Sequence, residues 1–157
     1  MAHTEHRSDD KTVATNRKAR HDYTIVEILE CGIQLTGTEV KSLRLGQASL
    51  VDCFARLRGG ELWLEGMHIP AYEQGDKRTH EPLRPRKLLV HRRQLGQLQR
   101  STVEKGLSMV PLRVYFTHGV AKVEIALAKG KRQHEKRQAI ARRDAMREAE
   151  RELGRRR

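Results

Sequence analysis

The sequence predicts a mainly β domain: a small antiparallel sheet, closed or partly closed on itself, interrupted by short helices and followed by a flexible basic tail. Three observations lead there. Roughly six short stretches carry the period-two alternation or β-branched content of strands. The Gly59-Gly60 pair between two of them supplies the positive φ angles of a two-residue hairpin turn. Strands also follow one another without a helix between each pair, which favours a barrel over a parallel α/β sheet.

Taken in order, residues 1 to about 20 show no periodicity and read as a flexible leader ending in Arg17, Lys18 and Arg20. The leader proper is 1–15, the barrel 16–128 and the tail 129–157. Tyr23 to Leu29 and, after Gly32, Ile33 to Leu35 read as strand. Thr36 and Glu39 are spaced as a capping box, opening a short helix that Gly46 closes, with Val40 and Leu43 turned inward. Leu50–Arg58 and Glu61–Ile69 form the first hairpin, with Val51, Cys53, Ala55 and Leu57 inward and Leu62 and Leu64 facing them.

Ala71 to Arg86 holds Pro82, Pro85 and many charges and reads as a long surface loop. A helix follows from His91 to Lys105, contributing Leu95, Leu98 and Val103 and stopping at Gly106. Leu107–Phe116 and Val120–Leu127 make a second hairpin around Thr117-His118-Gly119, with Val123, Ile125 and Leu127 on one face. The order of these elements is that of an OB-like barrel. Cys31 and Cys53 sit in apolar strand contexts without metal-ligand spacing and read as buried free thiols.

Charge says what such a barrel binds. The chain carries 32 Lys+Arg against 20 Asp+Glu, a net of +12, which favours polyanions and nucleic acid first. Between Lys129 and Arg157 there are 12 basic and 5 acidic residues, a net of +7. A near-balanced body with a basic arm is built to fold on a large polyanion. No apolar run approaches the roughly 18 residues of a membrane span, so the expected location is the cytosol, with no membrane partner. Walker loop, dinucleotide fingerprint, nucleophile elbow and HExxH are all absent, so no cofactor, metal or catalysis is expected.

Within the tail, Lys129, Lys131, Arg132, Lys136 and Arg137 fall within nine residues, the footprint of phosphate binding. Arg143, Arg147, Arg151 and Arg155 recur every four residues and stripe one side of a helix. That stretch is weakly apolar and is expected to be disordered when free and helical on its target. His134 reads equally as a base-stacking or a solvated residue, and Tyr72 on the long loop is likewise open. For Tyr23 and Trp63 the core is the expected place.

Five stretches carry a resemblance: NRKARHDY at 16–23, GTEVKSLR at 37–44, GMHIPAYEQG at 66–75, RPRKLL at 84–89 and AKGKRQHEKR at 128–137. In that order they are similar to the signature stretches of the SsrA-binding protein (small protein B) family, and the likeness spans Asn16 to Arg151. The resemblance implies an OB-like barrel that binds the tRNA-like domain of transfer-messenger RNA and brings it to stalled ribosomes for trans-translation. It also implies that such a protein works as a monomer and is not an enzyme.

By matching position, Asn16, Arg17, Lys18, His21, Glu30, Leu89 and Lys122 belong to the implied RNA surface, and the helix with Glu39, Lys41 and Arg44 shapes it. The tail residues Lys129, Lys131, Arg132, His134, Glu135, Lys136, Arg137, Arg143 and Arg147 are implied to contact the ribosome at the small-subunit decoding centre and empty mRNA channel. Glu135 stands where many members carry aspartate, and Ala145 where some carry an aromatic. The competing reading of the residues is a general RNA chaperone binding single strands by charge and stacking. A third, an RNA-processing enzyme, has only Asp52, Glu65 and His68 to offer.

Overall fold

The computed structural model describes residues 10–72, 79–131 and 133–155. Among the described residues seven strands and four helices follow in the order β1 Lys11–Thr15, α1 Ala19–Asp22, β2 Tyr23–Ile33, α2 Gly37–Arg44, β3 Phe54–Arg58, β4 Glu61–Glu65, β5 Arg86–Leu89, α3 Arg92–Val103, β6 Ser108–Thr117, β7 Val120–Gly130 and α4 Gln133–Arg155. The sheet runs β1-β6-β3-β4-β5-β2-β7, and β6 also pairs with β7. Six strands therefore form a ring of antiparallel pairings, with β1 added outside it along β6. The ring is unevenly built: β2–β7 and β6–β7 pair over nearly their whole length, whereas β3 meets β6 at the single pair Ala55↔Met109.

Alternation explains the interior. Val123, Ile125 and Leu127 of β7 point inward with Val114 and Phe116 of β6, Cys31 and Ile33 of β2, and Leu62 and Leu64 of β4. Leu43 of α2 and Leu98 of α3 cap this core. Gly59 and Gly60, at φ 60° and 75°, make the β3–β4 turn, the conformation glycine adopts without steric cost. The capping box of α2 is formed, with the Thr36 N–H donating to Glu39 Oε1 at 2.9 Å. Burial pushes the Cys31 and Cys53 thiols up to about 12, so both stay protonated in the core.

Several expectations need correcting. Lys11–Thr15 is strand β1, not leader: its mixed, partly exposed residues carry little periodicity, and it is held by pairing to β6. Tyr23 to Ile33 is one strand running through Gly32, and β7 extends to Gly130, so the barrel ends later than residue 128. Val51 lies in a turn before β3 and is 67% exposed, because Asp52 takes φ 58° and breaks the alternation there. Val103, at the last position of α3, is also solvent-facing, leaving Leu95 and Leu98 to pack. Among the described residues no helix is long and apolar enough to cross a membrane.

Candidate nucleic-acid interface

The outer face of β2, β7 and β6 is built in two halves. One half is apolar: Ala126 and Ala128 of β7 and Val110 and Leu112 of β6 bury against Ala19 of α1, with Tyr23, Ile25 and Ile28 alongside. This contact seats the 16–22 segment on the sheet. Asn16 fixes it further, its backbone N–H donating to Leu112 O at 2.7 Å and its side-chain amide to Pro111 O at 3.0 Å. At the far end, Lys131 N–H donates to Asp22 O at 2.9 Å and its Nζ to Arg20 O at 3.1 Å, tying the start of the tail to α1. Arg17, Lys18 and Arg20 are exposed on this segment. His21 is half-buried with Nδ1 2.9 Å from Asp22 Oδ1; because a carboxylate only accepts, Nδ1 carries the proton and Nε2 is left for a partner.

The other half is polar. Period two along β7 puts Glu124 and Lys122 on the same face as Ala126 and Ala128, and the register sets Glu124 between Glu30 and Arg113, and Lys122 between Gly32 and Tyr115. Arg113 is ion-paired to Glu124 at 2.8 Å and to Asp10 at 3.3 Å, and its guanidinium lies 3.8 Å from the centre of the Tyr115 ring. The Tyr115 ring is fully buried, and its hydroxyl donates to the Glu30 carboxylate. Leu89 of β5 is paired to Gly32 and 50% exposed; a Cβ on Gly32 would meet Leu89 Cβ at 3.2 Å, so glycine is what lets the leucine lie close. Glu30, Lys122 and Leu89, far apart in sequence, thus share one patch on the same outer face that carries the 16–22 segment.

At one end of the barrel, α2 carries a different arrangement. Glu39 is fully buried, not a surface residue: its carboxylate meets Arg84 at 2.5 Å and the equally buried Arg86. Arg86 also donates to Met67 O at 2.7 Å and Pro82 O at 3.1 Å. The predicted surface loop is therefore stitched down at its end, and His80 adds to this, buried with Nε2 2.9 Å from Ile69 O and Nδ1 2.9 Å from Thr38 Oγ1. Burial alone would raise the Glu39 carboxyl, but the Thr36 N–H, Arg84 and Arg86 override it and hold it down at about 2. Lys41 and Arg44 are exposed on α2, with Lys41 Nζ 5.5 Å from the Tyr72 ring centre. Trp63 is half-buried beneath Arg58, whose guanidinium is 5.2 Å from its ring.

A cleft of about 1020 Å³ opens beside the 15–19 segment, where Arg17, Lys18 and Arg56 meet the exposed Phe54. In the tail, Arg137, Arg143 and Arg147 are exposed on α4. Arg132 lies outside the described residues, as do the side chains of His134, Glu135 and Lys136. Lys129 is exposed at the end of β7 rather than in the tail proper. Of the trio Asp52, Glu65 and His68, Glu65 is ion-paired to Arg56 at 2.9 Å, and His68 is engaged through its backbone with Ser49.

Sequence reasoning missed Arg113, Tyr115, Glu124 and Arg86. The signal for the first and third was present: one charge each inside the apolar runs at 109–116 and 123–128, positions a barrel tolerates only when the charges find each other.

Comparison with known proteins agrees with this architecture. The model of the family described as SmpB protein matches residues 13–155. The SsrA-binding protein of Mycobacteroides abscessus is 58% identical over 93% of this chain and 92% of its own length. That of Salinispora arenicola is 60% identical over 93% of this chain and 92% of its own. A solved chain from work on tmRNA-SmpB in the bacterial ribosome superposes with a TM-score of 0.64 at 47% identity, covering 80% of this chain and 92% of that one. With the family model spanning the barrel and nearly all of α4, and relatives this similar over almost the whole length, the chain belongs to the SmpB family.

Proposed function

We propose that this protein is the adaptor of transfer-messenger RNA: it binds the tRNA-like domain of that RNA and delivers it to stalled bacterial ribosomes for trans-translation and ribosome rescue. The observation that carries the reading is the gathering of Asn16, His21, Glu30, Leu89 and Lys122 onto one outer face, held rigid by β-pairing and the Arg113 network. A rigid face with charges in fixed places recognises a folded RNA by shape and phosphate position, whereas loose charge does not.

The tail works separately. Helix α4 runs 23 residues and its described charged side chains are exposed, so its arginines are available to ribosomal RNA. In this reading it lies in the empty mRNA channel near the decoding centre, with His134 stacking there, and senses a stalled ribosome by fitting where message is missing. The protein acts in the bacterial cytosol as a single copy, by binding alone and without metal or cofactor.

Competition tests the reading. At moderate salt, unstructured RNA should displace the labelled tRNA-like domain at least tenfold less effectively than the unlabelled domain does, by an estimate from the usual margin of specific over electrostatic binding. Equal displacement would leave a general RNA-binding barrel and overturn the proposal.

A further inference from the structure

Glu30 is an oddity in a surface meant for a polyanion. A carboxylate repels phosphate, so at an RNA interface it contributes only where it meets a hydrogen-bond donor, and in RNA the donors are base edges and the 2′-hydroxyl. The structure also invests in its placement. Tyr115 stands on β6, two strands away from Glu30 on β2, and its side chain spans the intervening β7, on the face shared with Lys122 and Glu124, to reach it. Above that ring the Arg113 guanidinium is clamped by Asp10 and Glu124. Burial and the neighbouring carboxylates push the Tyr115 phenol well above its ordinary range, so it remains a donor at every working pH.

We propose that Tyr115 is a positioning residue that aims the Glu30 carboxylate at the Watson–Crick edge of an unstacked guanine in the bound RNA. This rests on the RNA-binding reading above and adds to it a base-reading point beside the cationic Lys122. Guanine is the base that fits: its N1–H and N2–H lie side by side, matching two carboxylate oxygens, whereas cytosine and adenine set an acceptor beside their amine. The phenol occupies one lone pair of one oxygen, which leaves the other oxygen and one further lone pair for the base. Glu30 is exposed while Tyr115 is fully buried, so the tyrosine acts through the glutamate and does not touch RNA itself.

Affinity of the full-length protein for the tRNA-like domain of transfer-messenger RNA, and for an unstructured RNA, tests this with Y115F, E30Q and the double variant, alongside thermal melting. Loss of the guanine contact in E30Q should weaken the folded RNA about tenfold, and loss of aim in Y115F about threefold to fivefold, without changing binding of unstructured RNA. Y115F removes no charge, so its salt dependence should match the wild type, and on the E30Q background it should cost nothing further. Inosine in place of unpaired guanosines should weaken the wild type and leave E30Q unaffected.

Losses that multiply in the double variant, or that fall equally on both RNAs, would overturn the proposal. So would a wild-type affinity in E30Q, which as an exposed isosteric change keeps the test valid should Y115F not fold. A wild-type protein with no preference for the folded domain would instead overturn the adaptor reading, and this inference with it.

Discussion

The barrel and the tail both carry charge, and they use it in opposite ways. In the barrel, the buried charges are spent on each other: Glu39 on Arg84 and Arg86, Arg113 on Asp10 and Glu124, with Glu65 held by Arg56 at the surface. On α4, by contrast, Arg137, Arg143 and Arg147 are exposed and most of the helix stands clear of the body, its main contact being with α1. On α4 the charge is therefore left open to solvent, while the buried charges of the barrel fix geometry. In the function proposed above, the barrel's arrangement supplies specificity and that of α4 reach.

A cut between the two parts should have the largest effect. Because β7 runs to Gly130 and Lys131 is bonded to α1, the cut belongs after Lys131 rather than at residue 129. Removal of residues 132–157 should abolish rescue in a reconstituted translation assay while leaving the melting temperature and binding to the tRNA-like domain intact. Truncation inside β7 should destabilise the barrel and so confuse the two roles.

Next in size is the buried pair. Glu39→Ala leaves Arg86 buried without its carboxylate and should cost about 3–5 kcal/mol in denaturant unfolding, far more than any α4 charge. The same group sets an acid limit. Its folded value of about 2 lies below the ordinary 4.5, so its stabilisation is complete above about 4.5 and is lost as pH falls from there through 2. Urea midpoints across that window should fall more steeply for the wild type than for a Glu39→Gln variant, which has no such proton to gain.

A smaller effect is expected at Gly66, which holds φ 83° and where a Cβ would sit 2.9 Å from Asp52 O. Gly66→Ala should destabilise by about 1–3 kcal/mol, since neither the backbone conformation nor the contact can relax cheaply. Smallest for stability is Arg147→Ala on α4. It should leave the melting temperature unchanged and reduce the salt slope of ribosome binding by about 1, one phosphate contact's worth.

How much of this the sequence disclosed divides along the same line. Local signals held: the Gly59-Gly60 turn, the Thr36–Glu39 capping box and the alternation of Val123, Ile125 and Leu127 all depend on neighbours a few residues away. The tail's basic stripe was equally plain, because an exposed helix face needs no partner to be recognised. What stayed hidden were pairings across long separations. Glu39 meets Arg86 from 47 positions away and Arg113 meets Asp10 from 103, and nothing in the periodicity of either segment marks the other. The sequence accordingly marks Glu39 only as a capping residue, without its buried arginine partners, and leaves β1 as leader. Of the site, its residue list came from resemblance to a family, whereas the network that holds Glu30 in place emerged only from the fold.

The central claim is that recognition of the folded RNA resides in the barrel and not in the total charge. Its most direct test is the affinity for the tRNA-like domain against a matched ordinary tRNA across a salt series, with the full chain and with residues 132–157 removed. A preference that persists as salt rises and survives the truncation is the predicted result. Affinities that are equal for the two RNAs and collapse together with salt, or a preference that disappears with the tail, would contradict it.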